Sequence, residues 1–317
     1  MSQDERSDQD SNVGYPQIVE QLVNEFALRK PLRTKSLVIT FFGDIVSQHG
    51  GTIWLGSLIS SLARFRINER LVRTTVFRLV QEDWLKSYRI GRRSYYQFSD
   101  YGEHEYERAA KRIYSTREMR WSGLWQLVVP VKVTDSSREK LMRSLRWQGY
   151  RNITPGLLAK PGEASSELAE TLNEFKAMKD VLVMTATTQE ISSPKLVHDL
   201  VYRSWALDEV EVGYSDFLEC YAPVRGWLTE NTPVSPETAY LIRLMLIQDY
   251  RRLLLRDRPV PQELLPPSWP GIEARQIAAD IYNRIAPASV EFIRAELEDS
   301  SGFFGAATSS FEQRFSP

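Results

Sequence analysis

Hydrophobic positions in this chain fall into blocks with two rhythms, one near 3.6 residues and one of two, and the change of rhythm predicts the elements. SLVITFFGDIV (residues 36–46) follows Thr34, a candidate N-cap, and runs out before Gly50-Gly51, which predicts a first helix. A short extended piece at 52–55 precedes GSLISSLARF, a second helix with Leu58, Ile59 and Leu62 on one side. Arg66-Ile67 makes the turn, and Asn68 is placed to cap a third helix over 69–82. That helix divides into two faces. Val72, Thr75, Val76, Leu79 and Val80 line one face, while Arg70, Arg73, Thr74, Phe77, Arg78 and Gln81 line the other.

The rhythm then changes to two. Residues 84–90 and 94–98 alternate as strands do, around a turn at Gly91-Arg92, which gives a hairpin tipped by Arg89, Arg92 and Arg93. A charged helix follows over 101–114. Beyond it GLWQLVVPVKV reads as a strand, DSSREKLMRSLRWQG as an amphipathic helix capped by Asp135 or Ser136, and YRNITPGLLAKPG as an extended pair. SSELAETLNEFKAM is a helix and VLVMTATT a strand, so residues 121–188 have the order βαββαβ. From Ser193 the pattern is helical: TAYLIRLMLIQDYRRLLLR (238–256) is apolar on most of its circumference, as a central bundle helix is. A proline-rich connection at 259–270 and a helix at 273–286 follow, and the last twenty residues are Gly/Ser-rich and read as loosely held.

Charge sharpens this picture. The net charge of −1 conceals thirteen Lys/Arg against four Asp/Glu in residues 29–98, a local +9 that leaves −10 for the rest. A basic block in a near-neutral chain is the footprint of a module that neutralises phosphates, although a solvated basic face has the same composition. The order of elements selects between these. Arginines on the exposed face of the second helix of a helix-turn-helix reach guanine O6/N7 in the major groove, and a basic hairpin beside it contacts flanking backbone or minor groove. The expected DNA-binding residues are Arg70, Arg73, Thr74, Arg78, Arg89, Arg92 and Arg93.

The fold class expected is α+β and multidomain. It comprises a flexible tail at 1–30, an N-terminal winged helix-turn-helix at 31–118 and a central ferredoxin-like (βαββαβ, Cas2-like) domain at 119–190. A C-terminal all-helical domain at 191–297, for dimerisation or effector binding, and a loose tail at 298–317 complete it. No apolar run is long enough to span a bilayer, the first fourteen residues have no secretory core, and one cysteine, Cys220, excludes an internal disulfide; a cytoplasmic protein is expected.

Three stretches resemble the PaaX-type regulators, repressors of phenylacetic-acid catabolism. They are GGTIWLGSLISSL…ERLVRTTVFRLVQEDWLKSYRIGRRSYYQFSDYG (50–102), RWSGLWQLVV (120–129) and LIQDYRRLLLRDRPVPQELLPPSWPGIEARQIAADIYNRIAPAS (246–289). The resemblance implies a homodimeric repressor on double-stranded operator DNA, released by an aryl-CoA thioester, typically phenylacetyl-CoA, with no cofactor or metal. Where that family has Gly after the recognition helix this chain has Asp83, which must accept a positive φ there.

Enzyme signatures are missing: there is no phosphate loop, no GxSxG and no HExxH. His49, His104 and His198 lack ligand spacing, and Cys220 reads as a small buried hydrophobe. Asp135 stands where Cas2-type nucleases hold a carboxylate, which keeps a metal-dependent nucleic-acid enzyme as the alternative, although a lone carboxylate cannot hold the metal ions. A CoA thioester needs cations and an apolar slot. Arg143, Arg146 and Trp147 (with Arg138 a turn earlier) are candidates, as are Trp205 beside Tyr214 and Phe217, and Arg243, Arg251 and Arg275. Each has a competing reading as a salt bridge or core aromatic.

Overall fold

The computed structural model describes residues 16–29, 34–115, 120–133, 135–163, 166–189, 192–231, 233–257 and 260–316. In chain order the N-terminal elements are α1 (Gln17–Leu28), α2 (Thr34–Asp44), β1 (Thr52–Trp54), α3 (Leu55–Ala63), α4 (Glu69–Gln81), β2 (Leu85–Ile90), β3 (Arg93–Phe98) and α5 (Asp100–Ile113). Then come β4 (Leu124–Pro130), α6 (Asp135–Trp147), β5 (Arg151–Thr154), β6 (Leu157–Pro161), α7 (Ser166–Glu174), β7 (Val181–Thr187) and α8 (Pro194–Ser204). The chain closes with α9 (Leu207–Glu230), α10 (Pro236–Arg256), α11 (Pro270–Glu296), β8 (Glu298–Asp299), β9 (Gly302–Phe303) and α12 (Ser309–Glu312). These elements gather into two compact units, one from the described residues within 1–116, 217–252 and 275–317, the other from those within 117–216 and 253–274.

The first unit is built around α2. Leu37, Val38, Phe41 and Phe42 are fully buried in it, each side chain stabilising the fold by about 1.5–3 kcal/mol through removal from water. The helix packs against α4 and α5. Close approach explains Gly43, where an added Cβ would overlap the Tyr106 ring of α5. A three-stranded antiparallel sheet, order β1-β3-β2, lies beside these helices, with Leu85 opposite Phe98 and Ile90 opposite Arg93. The expected two-residue loop Gly91-Arg92 closes the hairpin, and Gly91 takes the left-handed φ of 57° such a turn requires.

The second unit holds a four-stranded sheet of order β5-β6-β4-β7, every neighbouring pair antiparallel. Leu141 and Leu145 of α6 and Leu168 and Leu172 of α7 cluster with Val128 and Leu158 of the sheet, so both helices cover one face. Tyr150 joins this core and donates its hydroxyl to Gln126 Oε1. The side chains of the expected cap, Asp135 or Ser136, lie outside what is described, as does the stretch 1–15.

Four expectations need correction. The N-terminal and C-terminal segments are not separate bodies, because α1–α5 share one unit with parts of α9, α10 and α11. The supposed tail at 1–30 contains α1, whose Val19, Leu22, Val23 and Phe26 are buried. The last residues are held, too: Phe304, Arg314 and Phe315 are buried, and Thr308 donates its backbone N–H to Gln48 O at 2.9 Å and its hydroxyl to Gln48 Oε1 at 2.7 Å. A Gly/Ser-rich composition conceals this, since three well-placed side chains suffice to anchor the segment. Sequence punctuation also ended a helix too early, at Pro287, which α11 carries inside it.

Candidate nucleic-acid interface

Helix α4 starts where Asn68 caps it, the side-chain oxygen accepting Leu71 N–H at 2.9 Å. It ends at Gln81 with Glu82 as its C-cap, after which Asp83 turns with a φ of 58°, the left-handed residue the sequence demanded. The expected division into faces is present: Val72, Thr75, Val76 and Leu79 are buried, while Arg70, Arg73, Thr74, Phe77, Arg78 and Gln81 are exposed. Phe77 is 64% exposed, which is high for an aromatic side chain and places it among the arginines as a surface group.

The seven predicted residues are not equivalent. Among the described residues, Arg70, Arg78, Arg89 and Arg92 make no side-chain ion pair or hydrogen bond, and all four are exposed. Arg73 pairs with Glu69 one turn earlier at 2.7 Å, an exposed and weak link that phosphate or base contact can replace. Thr74 donates its hydroxyl back to Arg70 O at 2.8 Å. Arg93 differs most. Its guanidinium sits 4.1 Å from the centre of the Trp54 ring and binds Glu298 of β8 at 2.5 Å. Tyr88, stacked on Tyr95, also donates to Ser300 Oγ at 3.2 Å, so the β8–β9 segment braces the hairpin sheet. Nothing in the sequence pairs Arg93 with a residue 205 positions away.

The proposed effector residues are scattered. Arg143 and Arg146 are exposed on α6, Arg143 pairing with Glu139 at 3.2 Å, and Trp147 is 74% exposed. Trp205 is buried against Trp125, with its indole N–H unpartnered among the described residues. Tyr214 and Phe217 do not extend this cluster: Tyr214 packs on Trp269 and donates to Asp257 at 2.6 Å, whereas Phe217 packs on Tyr221 and Tyr250. Arg275 is half-buried on α11.

Arg243 has the competing role. Fully buried, it donates from Nε to Asp44 Oδ2 at 2.7 Å, from Nη2 to Asp44 O at 2.8 Å and from Nη1 to Ser289 Oγ at 3.0 Å. Arg314 reaches Asp44 Oδ1 at 2.7 Å and Gly43 O at 3.0 Å, and Tyr114 and Tyr282 donate to the same Oδ1 at 2.7 and 3.1 Å. Burial opposes the charge on Asp44, yet Arg243 and Arg314 outweigh it and hold the carboxyl below its ordinary value. Two buried arginines thus share one buried carboxylate, which gives Arg243 a protein partner and the structural role that competed with effector binding.

Among the described residues Arg251 has no such partner. It is 6% exposed, donates from Nη1 to Ser36 Oγ at 3.2 Å, and leaves Nε without an acceptor. Burial lowers its pKa, and the neighbouring Tyr106 and Tyr114 do not restore it. Cys220 is half-buried, and burial pushes its thiol up to about 12, so it is no nucleophile. His49 is buried, stacked on Phe304 and bonded through Nδ1 to Gly305 O at 2.9 Å. Among the described residues no group of three or more His, Cys, Asp or Glu is placed to hold a metal ion. No described helix is long and apolar enough to cross a membrane.

A helix and a hairpin that carry exposed arginines, in a mixed helix-and-sheet chain, define the class: a chain that presents cations to solvent. Family models specify it further, PaaX-like protein over residues 33–102 and PaaX-like protein C-terminal domain over residues 205–295. The chain is 36% identical over 286 residues to the transcriptional repressor PaaX of Escherichia coli (strain K12), covering 90% of each chain. It therefore belongs to the PaaX-like family. Among solved structures, the uncharacterized protein Rv0674 from Mycobacterium tuberculosis is similar over 78% of this chain and 94% of its own, at 20% identity and a TM-score of 0.47.

Proposed function

We propose that this protein is a DNA-binding transcriptional repressor that reads its operator with α4 and steadies it with the β2–β3 hairpin. The observation that carries the reading is α4 itself, whose apolar half is buried while Arg70 and Arg78, unpaired among the described residues, are exposed, in a chain 36% identical to a repressor. In this reading α3 and α4 form a helix-turn-helix and β1-β3-β2 its winged sheet. The sheet order β5-β6-β4-β7, with α6 and α7 on one face, supports a ferredoxin-like domain after Trp121. The protein acts as a homodimer on an inverted-repeat operator, since one winged helix spans only a half-site.

The genes controlled are those of aromatic, phenylacetate-type catabolism, and the signal is an aryl-CoA such as phenylacetyl-CoA. Family membership supports both statements. The ligand must favour a state that presents the two winged helices badly to DNA. Gel-shift titration of the operator complex with phenylacetyl-CoA, CoA and phenylacetate at fixed salt tests this. Release by the thioester, at a coupling of ~1–3 kcal/mol or roughly 5–150-fold in affinity, is expected. Equal release by all three would mean ionic competition instead.

A further inference from the structure

The first turn of α2 gathers polar groups that the fold leaves unsatisfied. Thr34 was expected to cap the helix, yet it lies inside it; its hydroxyl is buried and has no partner among the described residues. Two residues on, Ser36 Oγ receives Arg251 at 3.2 Å and Gln248 Nε2 at 3.1 Å. Gln248 is fixed in turn by Thr40, whose hydroxyl donates to its Oε1 at 2.7 Å. The leading backbone N–H groups of any helix lack intrahelical acceptors and carry a partial positive charge.

Arg251 therefore points a buried cation at a turn that is already electropositive. The carboxylates nearby are committed. Asp44 is held by Arg243 and Arg314, and Asp249, on the same helix as Arg251, binds Arg29 and accepts from Tyr221 at 3.0 Å. Tyr106 and Tyr114 face Arg251, but burial raises both phenols above their ordinary value, so neither supplies an anion at neutral pH. A buried guanidinium with one hydrogen bond and an orphaned Nε is costly unless something anionic joins it.

We propose that the first turn of α2 and Arg251 form an oxyanion-binding site, taking the phosphate or carboxylate group of a small ligand. Thr34 and Ser36 hydroxyls, α2 backbone N–H groups and the Arg251 fork are the donors, the combination by which helix N-termini hold phosphates. Because α2 packs on α4, occupancy bears directly on the helix that carries Arg70 and Arg78. That consequence for DNA rests on the repressor reading; anion binding does not.

The test uses the DNA-free full chain and its R251M variant, each titrated by thermal shift with inorganic phosphate, pyrophosphate, acetate and phenylacetate. The wild type should gain a few degrees, saturably, with the phosphates or with the carboxylates, and which pair acts identifies the group. R251M should show no gain, and without anion it should melt no lower than wild type, because the uncompensated charge is gone. No saturable shift with any probe, or an undiminished shift in R251M, would overturn the proposal. So would an R251M chain that fails to fold, since it would show that protein groups already compensate Arg251. Loss of repressor activity with anion binding intact would instead count against the reading of function.

Discussion

At the scale of single residues the molecule uses arginine in three ways. Arg70 and Arg78 are exposed and, among the described residues, unpaired; Arg243 and Arg314 are buried on Asp44, and Arg93 is tied to Glu298. Substituting each should give a different signature. Arg78→Ala should cost roughly 1–3 kcal/mol of specific DNA binding if its contact is bidentate to guanine, without changing the melting temperature. Arg92→Ala should weaken all sequences alike and reduce the slope of log affinity against log salt by about 0.9, the loss of one phosphate contact. Asp44→Asn should destabilise the fold by about 3–5 kcal/mol, because two buried guanidinium groups lose their charge partner. It should also change the acid limb. The folded Asp44 carboxyl lies below its ordinary 3.8, so its contribution to stability is complete above the unfolded value and is lost as pH falls through the folded one. Acid denaturation curves of wild type and Asp44→Asn, measured between neutral pH and pH 2, should therefore converge at the acid end.

At the scale of elements, α4 and its hairpin were legible because their signals are local. Val72, Val76 and Leu79 repeat at helical spacing, Asn68 sits directly before them, and Gly91-Arg92 separates two alternating runs. The C-terminal segment was illegible for the opposite reason. Phe315 and Arg314 are isolated anchors in a polar stretch, and Arg314 meets Asp44 across 270 positions, a pairing no periodicity announces. The same holds for Glu298 on Arg93, which changes what the hairpin can offer. Glu298→Gln should free Arg93 and strengthen non-specific DNA binding at low salt, as filter binding to random duplex would show. Removing residues 298–317 should act mainly on the fold, taking Arg314 from Asp44 and lowering the melting temperature by several degrees, each kcal/mol lost being about 2–4 °C.

At the scale of the whole molecule, the described residues of 1–116 share a compact unit with parts of the C-terminal helices, so α4, the proposed DNA-reading helix, belongs to the same body as most of α10 and α11. A signal received on those helices need not cross a flexible linker to reach α4, since Arg243 on α10 and Ser289 on α11 already join Asp44 at the end of α2. The central claim is sequence-specific DNA recognition through the exposed face of α4. Its most direct test is to let the wild-type protein and the double variant Arg70→Ala, Arg78→Ala each select duplexes from a random pool at physiological salt, followed by anisotropy titration of the winners. The wild type should enrich an inverted repeat and bind it at least about 1,000-fold more tightly than random duplex, while the variant, equally folded, should enrich nothing. An identical sequence selected with equal affinity by both proteins would contradict the account.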